Sequence, residues 1–212
     1  MSEQVEQRSN DWFTARLGKA TASRIVDAMA TLKTGKPAAT RENYAAQLVA
    51  ERLAGARADS FTNAAMQWGV DMEPEARAAY AEHIGDQPVE IGFIDHPTIP
   101  MSGASPDGLV GFDGMLEIKC PNTATHIATL RGAPIDRKYV LQTQWQMACA
   151  ERDWCDFVSY DPRMPEAMRL HVRRVPRDNE LISEIEKAVT AFLAEIDETV
   201  AELSALYQRK AA

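Results

Sequence analysis

The sequence predicts an α/β fold: one domain spanning residues 1–212, built on a central mixed β-sheet flanked by helices. Three observations carry that expectation. Helical periodicity dominates the first third of the chain and its C-terminal end. Short apolar, β-branched and aromatic runs occupy the middle. Two helical stretches separate one such run from the next. A chain of 212 residues suits one large domain, whose folding buries about 70% of the unfolded chain's surface.

The elements follow in order. Residues 21–32 read as a helix, then Thr34-Gly35-Lys36-Pro37 as a loop, then 41–54 as a second helix. A further helical stretch over 64–83 contains Pro74, so a break or bend is expected before it. Residues 89–94 read as a strand, followed by the segment around Met101. Asp113-Gly114 is a turn signal, and Gly-Met-Leu-Glu-Ile-Lys after it reads as a strand in a β-hairpin. Helices are expected over 123–130 and 136–151, strands over 154–160 and 168–175. The last helix, 179–206, carries Leu181, Ile182, Ile185, Val189, Phe192, Leu193 and Ile196 at helical spacing, a stripe that reads as a docking face.

The candidate chemistry lies in Ser105-Pro106-Asp107-Gly108-Leu109 and Leu116-Glu117-Ile118-Lys119-Cys120-Pro121. Side chains alternate across a strand, so Glu117 and Lys119 share one face while Leu116 and Ile118 take the other. One face is free to be a site and the other a core. Mg²⁺ takes hard oxygen ligands and needs only one or two carboxylates beside a substrate phosphate. Asp107 and Glu117 supply those, with the Ile118 carbonyl as a further ligand, and Lys119 is placed to hold the attacking water or offset developing charge. This is the donor set of a magnesium-dependent phosphodiesterase, although on the residues alone Glu-x-Lys on a strand also reads as a solvated face. Other positions stay open on the residues alone. Glu73 reads as one of several acids favouring a helix N-terminus, Arg16 as a surface arginine, and Ser23 as a helix cap or lining residue. Gln142 and Gln146 share a helix face at i,i+4 while Gln144 points elsewhere.

Composition restricts the class further. Hydrophobic residues at 45% and charged residues at 25% are ordinary globular values. No apolar run has the length of a membrane span, and Met-Ser-Glu-Gln-Val-Glu lacks the basic and apolar regions of a signal peptide, so no membrane partner and cytoplasmic residence are expected. Cys120, Cys149 and Cys155 show no zinc spacing and read as reduced thiols. The net charge of −8 is concentrated: residues 178–212 hold eight acidic and three basic side chains, leaving −3 for the remainder. Basic clusters in that remainder, such as Arg16, Lys19 and Arg24 or Arg131, Arg137 and Lys138, are compatible with a local track for DNA on an acidic protein.

Five blocks in order resemble the phage lambda exonuclease and YqaJ family of viral-type recombination nucleases. They are Trp12 through Arg16-Leu17-Gly18 to Thr21-Ala22-Ser23; Trp68-Gly69 with Glu73; the Ser105 to Pro121 motif; Tyr139 with Gln142-Thr143-Gln144; and Tyr160-Asp161-Pro162-Arg163-Met164. The resemblance implies a restriction-endonuclease-like (PD-(D/E)XK) core. It implies metal ligation by Asp107, Glu117, the Ile118 carbonyl and Glu73, two Mg²⁺ ions with Mn²⁺ substituting, Lys119 as the catalytic lysine, and Gln142 beside the scissile phosphate. Whether Gln144 rather than Gln142 is the key glutamine is left open. Arg16, Ser23 and Ser105 match residues that cradle a 5′-terminal phosphate. The implied activity is a 5′→3′ exonuclease on double-stranded DNA, preferring 5′-phosphorylated ends and leaving 3′ tails. A homotrimer and a single-strand annealing protein as partner are implied with it. The competing readings are an endonuclease of the same superfamily, and a catalytically inactive DNA-binding module.

Overall fold

The computed structural model describes residues 6–57 and 63–208. The first helix, α1 (Asn10–Arg16), starts at Ser9, whose hydroxyl accepts from the Trp12 amide. The chain continues through β1 (Ala20–Thr21), a 3₁₀ turn (Ala22–Arg24) and α2 (Ile25–Ala28), then reverses at a bridge between Thr31 and Pro37. The helix expected over 21–32 is thus cut short at both ends. Thr21 is taken by pairing with Gly103, and the Leu32 amide bonds to the Lys36 carbonyl across the Thr34-Gly35 turn. α3 (Ala39–Ala54) stops at Gly55, whose φ of +61° suits a residue without Cβ.

α4 (Ala64–Ile84) is not broken at Pro74, before which a break or bend was expected. Proline leaves the carbonyl four residues earlier without its amide. That carbonyl belongs to Val70, which lines a large cleft, so it is not sealed in a core. β2 (Ile94–Asp95) and β3 (Ser102–Ala104) complete a three-stranded sheet ordered β1-β3-β2. Only the end of the strand expected at 89–94 enters it; Val89 makes a single bridge to Leu109.

The main sheet is four-stranded and mixed. β4 (Gly108–Val110) and β5 (Gly114–Lys119) form the antiparallel hairpin. After α5 (Thr123–Leu130) and α6 (Arg137–Ala150), β6 (Trp154–Tyr160) returns parallel to β5, and β7 (Leu170–Pro176) lies antiparallel beyond it, giving the order β4-β5-β6-β7. A parallel pair needs a crossover, and the two helices supply it. At Gly114, any Cβ would collide with the Trp154 ring, so the hairpin and β6 approach only through glycine.

Helices cover both faces of this sheet. Ala76 and Tyr80 of α4 pack on Leu116, Ile118, Val158 and Tyr160. Met147 of α6 packs on Met115 and Cys155 across the sheet. The other side of α6, with Leu141, Trp145 and Cys149, meets Tyr44 and Leu48 of α3 and the stripe of α7 (Asn179–Gln208). Every residue from Leu141 to Cys149 is therefore buried, glutamines included. Among the described residues no helix is long and apolar enough to cross a membrane.

Candidate active site

β5 divides its side chains as alternation requires. Leu116 and Ile118 enter the core with α4, while Glu117 and Lys119 turn toward α6. Glu117 is 2% exposed, and its carboxylate is fully engaged. Gln142 Nε2 donates to Oε1 at 2.6 Å, Gln146 Nε2 donates to Oε2 at 2.7 Å, and Lys119 Nζ also bonds Oε1. The two glutamines stand one helical turn apart and grip one carboxylate oxygen each. Asp107 stands immediately before β4; its Oδ2 accepts from the Ile118 amide at 2.6 Å. A local backbone donor on the neighbouring strand thus fixes the first carboxylate beside the second.

Asp107, Glu117, Lys119, Gln142 and Glu73 all line one open cleft of about 1250 Å³. Its electrostatics are those of crowded anions. Burial, then Glu117, then Glu73 push the Asp107 carboxyl well above the ordinary carboxylate range, against the pull of Lys119 and the Ile118 amide. Burial alone would lower Lys119, but Glu117 and Asp107 overcome it and hold the ammonium above its usual value. The Cys120 thiol is pushed up to about 12 by burial and by Glu73 and Asp107. Glu73 itself is held between Arg8 and Arg77. Arg77 also donates to the Asp107 carbonyl at 2.5 Å, and Arg8 holds this position with a left-handed φ of +68°.

Among the described residues no three His, Cys, Asp or Glu side chains gather closely enough to hold a metal by themselves. The donor set still fits a hard dication. Two carboxylates meet with the Ile118 backbone on the cleft wall, and their mutual repulsion is what a cation relieves. Glu73 faces the same cleft but is occupied by two guanidinium groups.

A second, smaller pocket of about 470 Å³ adjoins the cleft, and Ser23 and Met66 line both. Its character is opposite. Among the described residues, Arg16, Lys19, Arg24 and Arg57 line it with one acid, Glu51. Lys19 pairs with Asp95 and Arg24 with Asp27, whereas among the described residues no carboxylate forms a salt bridge with Arg16. Its guanidinium lies 4.1 Å from the Trp12 ring and 5.6 Å from that of Phe93, and burial lowers its pKa to about 10. Arg16 Nη1 donates to Ser105 Oγ at 3.2 Å. Of the three residues matched to a terminal phosphate, Arg16 and Ser23 line this pocket, and Ser105 is tied to it by its hydrogen bonds from Trp12 and Arg16.

The model of the YqaJ-like viral recombinase domain matches residues 11–153, more than half of the chain. The chain belongs to that family. Among solved structures, this YqaJ-like chain is similar to an alkaline exonuclease, LHK-Exo, from Laribacter hongkongensis, at 49% identity with a TM-score of 0.88, covering 95% of this chain and 99% of that one. The same figures hold for LHK-Exo in complex with dAMP. A phage-related exonuclease from Haemophilus somnus 129PT, 19% identical over 87% of this chain and 96% of that one, shares the fold with a TM-score of 0.67. No curated protein sequence matches the chain.

Two family blocks take structural roles here. Gln144 donates to the Pro176 carbonyl and accepts from the Asp178 amide, joining α6 to the start of α7, while Gln142 and Gln146 hold Glu117. Asp161 is fully buried and binds the Arg163 amide and guanidinium and the Thr123 hydroxyl, fixing a turn at the cleft rim where Arg163 covers the Trp68 ring. Sequence reasoning assigned no role to Gln146, Arg8 or Arg77. The i,i+4 spacing to Gln142 was a signal for the first, and Arg77 stands at the same spacing from Glu73; nothing local announces Arg8.

Proposed function

We propose that this YqaJ-like protein is a magnesium-dependent exonuclease that degrades one strand of duplex DNA from a 5′-phosphorylated end and leaves a 3′ tail for recombination. One observation carries the reading. A single three-residue loop, Ser105-Pro106-Asp107, joins the cationic pocket around Arg16 to the cluster of carboxylates, Asp107, Glu117 and Glu73, on the cleft wall. Two residues apart, the Cα atoms of Ser105 and Asp107 are separated by at most about 7 Å, a distance comparable to one nucleotide. A terminal phosphate seated at Arg16, Ser23 and Ser105 then leaves the next phosphodiester beside Asp107 and Glu117. Arg forks suit phosphate oxygens, and a buried guanidinium without a carboxylate favours an incoming anion.

In this reading Asp107, Glu117 and the Ile118 carbonyl hold one Mg²⁺ and Glu73, released from an arginine, contributes to a second; Mn²⁺ substitutes. The bound ion polarises the phosphoryl oxygen and lowers the pKa of its water. Lys119 stands beside the reacting oxygens to orient water and offset developing charge. Gln142 and Gln146 keep the Glu117 carboxylate in one orientation, and the basic residues of the cleft wall, Lys138, Arg163 and Arg173, meet the backbone. A ring of three subunits and a single-strand annealing partner belong to the same reading. Sedimentation that shows only monomer, with and without DNA, would remove the ring.

Digestion of linear duplex DNA with Mg²⁺, one strand labelled, tests the function. Loss of the 5′-phosphorylated strand, slower attack on 5′-hydroxyl ends and intact closed circles are expected. Nicked circles would overturn end dependence.

A further inference from the structure

The hydrogen bonding of Ser105 fixes more than its location. Its hydroxyl oxygen accepts twice, from Trp12 Nε1 at 2.9 Å and from Arg16 Nη1 at 3.2 Å. A serine hydroxyl has two lone pairs and one hydrogen. Both lone pairs are engaged, and both donors are groups that cannot accept: an indole N–H only donates, and so does a guanidinium. The remaining capacity of Ser105 is to donate its own hydrogen, away from these two partners. Trp12 makes a second contact with the same assembly, because its ring lies under the Arg16 guanidinium at 4.1 Å. The two side chains are i,i+4 neighbours on α1 and stack along one face.

We infer that Trp12 is a positioning residue for end recognition, holding Arg16 flat and turning the Ser105 hydroxyl outward as a committed donor to a phosphate monoester. The inference rests on the end-phosphate reading and deepens it. Without the indole N–H, the serine oxygen regains a free lone pair and its hydrogen is no longer aimed. A hydroxyl that accepts and donates equally well no longer discriminates an anionic end from a neutral one. A tryptophan present only for packing would be replaced by phenylalanine without consequence for that choice.

The test is the ratio of initial rates on 5′-phosphorylated and 5′-hydroxyl duplex ends, measured for the wild type, Trp12→Phe, Ser105→Ala and the double variant. Trp12→Phe keeps an aromatic ring beneath Arg16 and removes the N–H with the five-membered ring that carries it, and thermal melting verifies that it folds. The expected result is a preference for phosphate reduced about fivefold, with the loss in KM for phosphorylated ends, and no further reduction when Trp12→Phe is added to Ser105→Ala. A wild type that prefers phosphate while Trp12→Phe retains the full preference overturns the inference alone, as do effects that multiply in the double variant. A wild type indifferent to the phosphate overturns the end-phosphate reading first, and this inference with it.

Discussion

The two adjoining cavities solve opposite electrostatic problems. In the large cleft, Asp107, Glu117 and Glu73 crowd together and are offset by Lys119, Arg8, Arg77 and two glutamine amides. In the small pocket, among the described residues, cations outnumber the one acid, and Arg16 is cushioned by aromatic faces rather than by a carboxylate. The difference is what the proposed reading uses. In it the repelling carboxylates take a cation, and the buried guanidinium on a ring takes an anion. A substrate that brings a metal ion to one and a terminal phosphate to the other satisfies both at once.

The comparison breaks most severely at the cleft. Asp107→Ala or Glu117→Ala should reduce cleavage of linear duplex by about a thousandfold or more while the far-UV spectrum is retained; wild-type turnover in either purified variant would refute the metal site. The pocket should respond differently. Arg16→Ala should slow digestion of 5′-phosphorylated ends by about a hundredfold and of hydroxyl ends far less, and equal losses on both ends would erase the distinction between the cavities. Between them stands Gln146. Its Nε2 reaches Glu117 and, at 3.5 Å, the Ser105 carbonyl. Gln146→Leu should cost about tenfold in rate and weaken Mn²⁺ binding in calorimetry; unaltered Mn²⁺ affinity would exclude a hold on the carboxylate.

The smallest effect belongs to the rim. Hydrogen bonds from Arg163 and Thr123 hold Asp161 down at about 2, although burial acts the other way. A carboxyl lowered in the folded state stabilises above its unfolded value, and that contribution disappears as pH falls through the folded one. Asp161→Asn should therefore lower the thermal midpoint at neutral pH by about 2–4 °C, with the gap from wild type closing toward pH 2. A gap independent of pH would mean that the ion pair is not its source.

Sequence reached the cleft more easily than the pocket for physical reasons. Strand alternation alone separated Glu117 and Lys119 from Leu116 and Ile118, and the structure keeps that division. Helical spacing put Gln142 and Gln146 on one face, and both reach Glu117. Family resemblance singled out Arg16, Ser23 and Ser105 together; no local pattern does, because Arg16 and Ser105 are 89 residues apart and meet only after folding. The short strands β1, β2 and β3 carry too few residues to display a period. α1 was missed for its length, seven residues. Pro74 misled because its rule describes a lost hydrogen bond, and a cleft-lining carbonyl tolerates that loss.

The loop joining the cavities is anchored from three directions: Gln7 donates to the Pro106 carbonyl, Arg77 to that of Asp107 and Gln146 to that of Ser105. Such a loop behaves as a ruler with no adjustable part. On the proposed reading, adding one residue to it would not yield a longer product; it would put an end and a cutting point out of register and leave an enzyme that holds DNA without trimming it.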